Sequence, residues 1–187
     1  MPVPEARLVE RDGGLEPDGP GWFIVNVADT LSFKNEVEGQ YIRFESLDNA
    51  PFPHYGIGIH VLRPGQPNAK YHAESNQESF MVLEGECRLI VEGEERIMRK
   101  WDFFHCAPMT RHITIGAGDG PCAILMVGIR SPDHTTHYPA EPEAARYGAA
   151  VEQPTDSPKE AYANRPPIVP ARSPWPLEPR AGGARSS

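Results

Sequence analysis

The apolar residues of this chain occur in short runs, and turn-forming residues separate them. The 187 residues include 21 prolines and 17 glycines. Runs this short suit β-strands, which usually hold about five or six residues, and they are too short for the helices of a bundle. A chain of this length can bury a hydrophobic core of ordinary size in one domain. We therefore predict an all-β fold.

The strand-like segments recur at a short, regular spacing, which is typical of a β-sandwich or β-barrel. They lie at residues 22–27, 41–44, 57–63, 80–83, 87–91, 96–98, 103–106, 112–115 and 123–129. Residues 91–96 suggest a hairpin turn, and residues 116–121 a loop between two strands. This pattern predicts a leader with one edge strand over residues 1–40 and a barrel over residues 41–130.

Residues 131–187 have a different composition, which predicts short helices followed by a tail. Pro142 near the start of segment 141–147 and Gly148 just past its end fit a short helix. The Ser-Pro-Lys-Glu sequence at 157–160 is a capping box that opens a second helix. We expect both helices outside the barrel. From Arg165 onward the chain is rich in proline, and we expect an extended or disordered tail.

Charge and apolar pattern argue against several classes of partner. A net charge of −8 would repel the phosphate backbone of a nucleic acid. No apolar run approaches the roughly 20 residues that cross a bilayer, and the N-terminus lacks a secretory pattern. We therefore expect a cytoplasmic protein without nucleic-acid or membrane partners. Cys87, Cys106 and Cys122 lack CxxC spacing, so we expect small buried residues rather than disulfides or a thiolate zinc site.

Four side chains of metal-binding type stand out from the apolar background: His72, Glu74, Glu78 and His112. Side chains of an extended strand alternate between its faces, so His72 and Glu74 point the same way and can hold one object between them. If all four bind, an ion has two imidazole nitrogens and two carboxylates. That set suits Zn(II), Mn(II), Fe(II) or Ni(II) and does not suit Cu(I). We predict one divalent metal ion, whose identity the spacing leaves open.

The spacing of these residues resembles the two signature motifs of the cupin superfamily, whose small single-domain members form conserved β-barrels that commonly hold one metal ion. The resemblance covers residues 56–130. His72 matches the first histidine of the first motif, Glu78 its glutamate, Gly85 its closing glycine, and His112 the last ligand of the second motif. It implies a double-stranded β-helix, or jelly-roll, with a metal at these ligands and a small-molecule substrate beside it.

The chain departs from the cupin pattern at several positions. Glu74 stands where the second histidine usually does, which makes the ligand set more anionic. Trp101 precedes Asp102 at a position where the family has glycine. Met109 and Thr110 occupy a turn that usually contains a glycine.

The role of Glu74 therefore stays open at this stage. It is a fourth metal ligand, a catalytic carboxylate that moves a proton beside the metal, or an acid paired with Arg88 or Arg111. Weaker candidates for the pocket are His60, His105, Tyr71 and Asn76. The other histidines are expected on loops: His54, His134 and His137.

Three functions suit such a site. The first is a metal-dependent isomerase or lyase for a sugar, sugar phosphate or similar hydroxy-carbonyl compound, with Glu74 moving the proton. The second is an Fe(II) dioxygenase, because His72, Glu74 and His112 also resemble a two-histidine-one-carboxylate triad and Arg130 could pair with a keto-acid co-substrate. The third is a non-enzymatic small-molecule or metal-binding module. We favour an enzyme over a module, and an isomerase over a dioxygenase.

The segment 80–83 is apolar on both faces of its strand. Phe80 and Val82 share the parity of Glu78, so they should line the barrel interior. Met81 and Leu83 then need cover from a second sheet or a second subunit. We accordingly predict a homodimer.

Overall fold

The computed structural model describes residues 1–177, and most of its regular structure is β-strand. The strands are β1 Arg7–Arg11, β2 Gly14–Asp18, β3 Ser32–Lys34, β4 Gln40–Arg43, β5 Tyr55–Leu62, β6 Ala73–Glu74, β7 Glu78–Glu84, β8 Glu86–Val91, β9 Glu94–Arg99, β10 Phe103–Cys106, β11 His112–Ala117, β12 Cys122–Ile129, β13 Thr136–His137 and β14 Val169–Ala171. The helices are α1 Pro142–Ala145 and α2 Pro158–Ala161. The predicted all-β fold is confirmed.

Two antiparallel sheets form a jelly-roll barrel. The larger sheet has the strand order β10-β7-β12-β5-β4-β3-β14, and the smaller one has the order β11-β8-β9. Apolar side chains from both sheets meet in one core cluster, which includes Leu62, Leu89 and Ile124. Phe80 and Val82 belong to it at 2% and 0% exposure, as their parity predicted. The core fills the closed end of the barrel and leaves the other end for polar residues.

The outer face of the smaller sheet is covered by the segment around α1. Ala144 and Ala149 pack there against Ile90, Ile113 and Tyr71. The buried Tyr71 hydroxyl accepts a hydrogen bond from the backbone N–H of Gly93. Tyr71 is therefore a packing residue of this second cluster. Both short helices form outside the barrel where they were predicted, and the Ser157 side chain caps α2 by accepting from the N–H of residue 160.

The outer face of the larger sheet is covered by the chain's own C-terminal segment. Leu83 packs in a third cluster with Trp175 and Leu177. Strand β14 pairs with β3, so the described part of the tail is extended and attached to the sheet. The predicted tail beyond residue 177 lies outside the described residues. This intramolecular cover accounts for Leu83, and the homodimer stays a prediction.

The strand predicted at residues 22–27 is wrong. Trp22 makes a single bridge with Glu5, and Ile24 is 83% exposed. The leader instead contains the β1–β2 hairpin, whose turn residues Asp12 and Gly13 both have positive φ, 49° and 89°. An Asp-Gly pair is a strong hairpin signal, because such tight turns need positive φ at both central residues. Residues 22–27 have a high β-propensity, but apart from the single bridge of Trp22 no described strand pairs with them.

The described residues also test what we expected of membrane-spanning segments and of the cysteines. Within residues 1–177, no helix has the length and apolar character that a membrane crossing requires. The three cysteines are buried and free, as predicted. Burial raises the pKa of the Cys87 thiol to about 12, so this side chain stays protonated and behaves as a small apolar residue.

Three turn positions of the cupin pattern have a positive φ, whether the residue there is glycine or not. Gly85 has a φ of 72°, and a Cβ at this position would lie 2.5 Å from the Pro121 carbonyl oxygen. Trp101 and Met109, which stand where the cupin pattern has glycine, have φ values of 75° and 66°. A side chain in this left-handed region costs roughly 1–2 kcal/mol. The backbone therefore keeps the turn that the motif requires, and these two residues bear strain.

We expect Trp101→Gly to stabilise the protein by about 0.5–1 kcal/mol, because glycine adopts a positive φ without steric cost. The Trp101 side chain is 66% exposed and loses little packing when removed. Urea denaturation measures the free energy of unfolding. Lys100→Gly, one residue earlier and outside the positive-φ set, is the matched control and should destabilise the protein. If both variants lower stability equally, Trp101 is not strained.

Candidate metal centre

Two histidines lie side by side at the open end of the barrel. His72 precedes β6 and His112 begins β11, and two backbone hydrogen bonds of 3.1 and 2.8 Å join them. Their ring centroids are 4.8 Å apart. The Nδ1 atom of His72 lies 2.6 Å from the Lys70 carbonyl oxygen, and that of His112 lies 3.0 Å from the Thr110 carbonyl oxygen. Because a carbonyl oxygen only accepts, each Nδ1 carries a proton, and each ring in its neutral form would present an Nε2 lone pair.

Glu78 completes a compact group with these histidines. Its Oε2 atom lies 3.3 Å from the His112 Nε2. This oxygen is buried and has no hydrogen-bond partner, which is costly for a carboxylate unless another group binds it. One ligand atom from each of His72, Glu78 and His112 lies within 4.8 Å of the others. Two donors of one tetrahedral ion lie about 3.4 Å apart, so this group fits a divalent metal.

Electrostatics in this group favour ionised side chains. Burial alone would lower the pKa of His112, but the adjacent Glu78 carboxylate outweighs it and raises that pKa. A bound cation would replace this proton as the partner of Glu78, because metal ligation requires a neutral imidazole. The predicted ligands His72, Glu78 and His112 are thus brought together by the fold.

Glu74 lies beside this group but outside it. On β6, its Oε1 atom is 3.4 Å from the His72 Nε2, and its Oε2 atom is 3.9 Å from the His134 Nε2. Burial would raise the pKa of Glu74, but the hydrogen bond and charge of His72, with the charges of His134 and His112, hold it below its usual value. Glu74 is therefore a carboxylate near neutral pH. Its service as a fourth metal ligand stays a prediction.

The proposed pairing of Glu74 with Arg88 or Arg111 is wrong. Arg88 makes an ion pair with Glu95 at 2.6 Å, and Arg111 binds Glu92 through both its backbone and its guanidinium. Both arginines thus have other carboxylate partners. Within residues 1–177, the Glu74 carboxylate has His72 and His134 as its ion-pair partners.

His134 is a site residue that sequence reasoning missed. It was expected on a loop, and the loop after β12 folds back so that its ring faces Glu74. The Asn76 amide, whose oxygen accepts from Ser131, donates to the His134 Nδ1 at 3.1 Å. His134 therefore carries its proton on Nε2, which lies 3.1 Å from the Thr136 hydroxyl oxygen and 3.9 Å from the Glu74 Oε2. No local pattern marks this residue, because the β6–β13 pairing that places it joins distant parts of the chain.

The other candidate residues differ in whether they line the cavity and in what they bind. His60 lies on the inner face of β5 and lines the cavity, whereas His105 is exposed on β10. Burial, with a smaller effect of Arg165, lowers the pKa of His60 to about 4, so the ring is neutral at physiological pH. Asn76 orients His134. Arg130, suggested as a keto-acid partner, is bound to Glu45.

A cavity of about 790 Å³ opens from this group of side chains. Its volume lies within the range of small-molecule sites. His72, Glu74 and Glu78 form one end of it. The inner faces of β4 and β5 and the segments around residues 138 and 162 form the walls. A molecule bound beside the three ligands would thus be surrounded by protein on several sides.

The fold and the site together define a small β-barrel protein with a histidine–glutamate centre suited to a metal ion. The sequence comparison places the family: the cupin domain model matches residues 58–128. This segment contains all four residues first singled out. The segment 58–128 is therefore a cupin domain. Among curated proteins, no sequence matches this chain.

Solved structures with a similar fold have low sequence identity. The polyketide cyclase RemF from Streptomyces resistomycificus is 13% identical, with 60% of this chain and 83% of that chain covered and a TM-score of 0.51. A sugar phosphate isomerase from Silicibacter pomeroyi is 23% identical, with 59% and 66% covered and a TM-score of 0.47. A proposed sugar phosphate isomerase from Acidithiobacillus ferrooxidans is 21% identical, with 53% of this chain and 65% of that chain covered and a TM-score of 0.47. The chain thus spans just under two thirds of the length of each sugar phosphate isomerase. The likeness to RemF concerns the fold alone.

Proposed function

We propose that this cupin is a metal-dependent enzyme that moves a proton on a small hydroxy-carbonyl compound, as an isomerase does. One observation carries the proposal. Glu74 lines the same cavity as His72 and Glu78 without belonging to the group that these two form with His112. A carboxylate placed beside bound substrate is a general base.

His72, Glu78 and His112 would hold the metal. The unpartnered Glu78 oxygen and the two inward Nε2 lone pairs support this assignment. A divalent cation at this position would supply Lewis-acid polarisation of a carbonyl oxygen, which acidifies the adjacent carbon. The ligand set of two nitrogens and one carboxylate suits Zn(II), Mn(II), Fe(II) or Ni(II).

The remaining roles belong to side chains of this chain. Glu74 would accept the proton and return it to the neighbouring carbon. The His134 Nε2–H lies 3.9 Å from the Glu74 carboxylate and favours its charged form. Asn76 fixes the orientation of that imidazole. Met126 lines the cavity with an apolar side chain.

The dioxygenase alternative has less support. It gave Arg130 the task of binding a keto-acid, but the Arg130 guanidinium is bound to the Glu45 carboxylate and to the Phe52 carbonyl oxygen. It also used Glu74 as the carboxylate ligand, and the group that fits a metal contains Glu78 instead. Oxygen consumption by the Fe(II)-loaded protein would be the result that revives it.

We expect Glu74→Gln to abolish proton exchange and to leave the metal in place. The measurement is deuterium incorporation from D₂O into aldoses, ketoses and aromatic hydroxyketones, followed by NMR with metal-loaded protein. Loss of a general base lowers the rate by about 100-fold or more. His105→Gln, which changes an exposed histidine outside the cavity, is the control and should keep full activity.

Two results would contradict the proposal. Wild-type protein with stoichiometric metal that exchanges no proton on any substrate of this panel would favour a binding module. Full exchange activity in the Glu74→Gln protein would show that another group moves the proton.

A further inference from the structure

The walls of the cavity are aromatic on two sides. Tyr41 on β4 and His60 on β5 are cross-strand neighbours whose rings stack at 5.7 Å and 22°, and both line the cavity. Phe33 on β3 continues this row at 5.3 Å and 23° from Tyr41. Tyr138 and Tyr162 also line the cavity and contact each other edge to face at 5.8 Å. These rings come from strands and loops far apart in the sequence.

The aromatic surface reaches the metal-type centre. The Tyr138 ring lies 5.9 Å from the His72 ring. On the floor, Gly58 and Gly128 line the cavity on neighbouring strands of the larger sheet and present no side chain. A flat molecule that reaches the ligand group would therefore contact aromatic rings and glycine backbone. Offset-stacked and edge-to-face aromatic contacts contribute about 0.5–1.5 kcal/mol each beyond their buried area.

The arginines of the cavity are already paired with carboxylates. Arg165 binds Glu38, with its Nε donating at 2.6 Å, and its guanidinium lies over the Tyr162 ring. Arg130 is bound to the buried Glu45, as described above. Such paired guanidiniums have little left to offer the two negative charges of a phosphate ester, which strong sites bind through free Arg or Lys.

The remaining cationic residues are less closely paired. Arg43 donates to the Glu45 carbonyl oxygen at 3.1 Å and lies over the Phe33 ring, and the Glu16 carboxylate 4.0 Å away also pairs with Arg11 at 2.7 Å. Lys34 is exposed at the rim. His60, held neutral by its burial, adds no charge to the wall. The wall away from the ligand group thus combines aromatic rings with two arginines, Arg130 and Arg165, that carboxylates already bind.

From these contacts we infer that the substrate is an uncharged, planar aromatic compound that bears a hydroxyketone, rather than a sugar phosphate. This inference rests on the proposed function and narrows its substrate class. The aromatic ring would lie against Tyr41 and His60, and the oxygen atoms would face His72, Glu74 and Glu78.

Binding of three probes to the full-length protein tests the inference. The probes are 2-naphthyl hydroxymethyl ketone, its saturated decalinyl analogue, and ribulose 5-phosphate. Isothermal titration with Zn(II)-loaded protein should show the naphthyl ketone binding at least tenfold more tightly than either of the others. Equal or tighter binding of ribulose 5-phosphate, or no binding of the naphthyl ketone at millimolar concentration, would overturn the inference.

Variants of the wall show whether the rings carry the preference. Tyr41→Ala should weaken naphthyl ketone binding about tenfold, and Tyr41→Phe should keep it, because the ring rather than the hydroxyl makes the contact. Tyr55→Ala, which removes an exposed tyrosine that does not line the cavity, is the matched control and should have no effect. Unchanged affinity in Tyr41→Ala would contradict the inference.

The design separates this inference from the proposed function. Stacking does not require a metal, so a tenfold effect of Tyr41→Ala should persist in a His72→Ala background, where overall binding is weaker. If the protein binds no metal at all, the proposed reaction fails while the dependence on Tyr41 remains measurable.

Discussion

His72→Ala and His112→Ala should each reduce the affinity for Zn(II) by about a thousandfold or more. Each change removes one of the three proposed protein ligands, and even changes to groups that merely orient a ligand cost about 10–100-fold. Glu78→Gln should act similarly, because its buried oxygen has no other partner. Elemental analysis of protein purified without chelators, followed by titration against a competing chelator, measures the effect.

An exposed histidine provides the control for this experiment. His105→Ala removes an exposed imidazole outside the cavity and should leave the metal content unchanged. Circular dichroism spectra and thermal melting recorded for every variant separate metal loss from unfolding. Near-stoichiometric metal in the His72→Ala protein would show that the centre lies elsewhere.

Glu74→Gln decides a separate question in the same titration. Retained affinity agrees with a carboxylate that is free for proton transfer. A loss as large as that of His72→Ala would make Glu74 the fourth ligand and would contradict its proposed catalytic role. The alternatives predict opposite results because only the loss of a ligand weakens metal binding, and a carboxylate bound to a cation is a much weaker base.

The ligand group was predictable from the sequence because its information is local. His72 and Glu78 flank one short strand segment, and their spacing and that of Gly85 match a motif. His112 follows a turn whose backbone is the same with Met109 as with glycine. Strand parity also placed Phe80 and Val82 in the core, because alternation along a strand depends on the backbone alone.

The rest of the site depends on contacts between distant segments. His134 reaches Glu74 through the pairing of β13 with β6, and Tyr162 enters the cavity from the segment after α2. His60 could not be assigned to a face because the register of β5 against β4 was unknown. Pairing of strands far apart in sequence is set by tertiary packing rather than by local propensity. The sequence therefore predicted the metal ligands better than the walls around them.

Arg130→Met should destabilise the protein by about 2–3 kcal/mol at pH 7, because it leaves the Glu45 carboxylate buried without its ion-pair partner. Glu45 is 3% exposed, and the Arg130 guanidinium donates to both of its oxygens. This loss is smaller than for a fully buried ion pair, because the Arg130 side chain is 39% exposed and water can reach Glu45 after its removal. Arg96→Met removes an exposed ion pair with Glu94 and should cost less than about 0.5 kcal/mol.

The pH dependence of this loss has a definite sign. Burial would raise the pKa of Glu45, but the hydrogen bonds from Arg130 and the Phe52 backbone, with the charges of Arg130 and Arg43, hold it below its ordinary value. A carboxyl group with a lowered folded-state pKa stabilises the protein above the ordinary value of 4.5, and this contribution disappears as the pH falls through the folded-state pKa. In Arg130→Met the main opposing partner is gone, so burial dominates and acid favours the folded protein relative to pH 7.

The stability gap between wild type and Arg130→Met should therefore narrow as the pH falls from 7 to 4. Urea denaturation at both pH values measures it, and the Arg96→Met protein should show a small gap at each. Glu45→Gln, which removes the charge and keeps the size, should lose most of the pH dependence that the wild type owes to this pair. A gap that stays constant between pH 7 and 4 would show that Arg130 acts mainly through the Phe52 carbonyl oxygen and its packing on Gly56, rather than through the charge of Glu45.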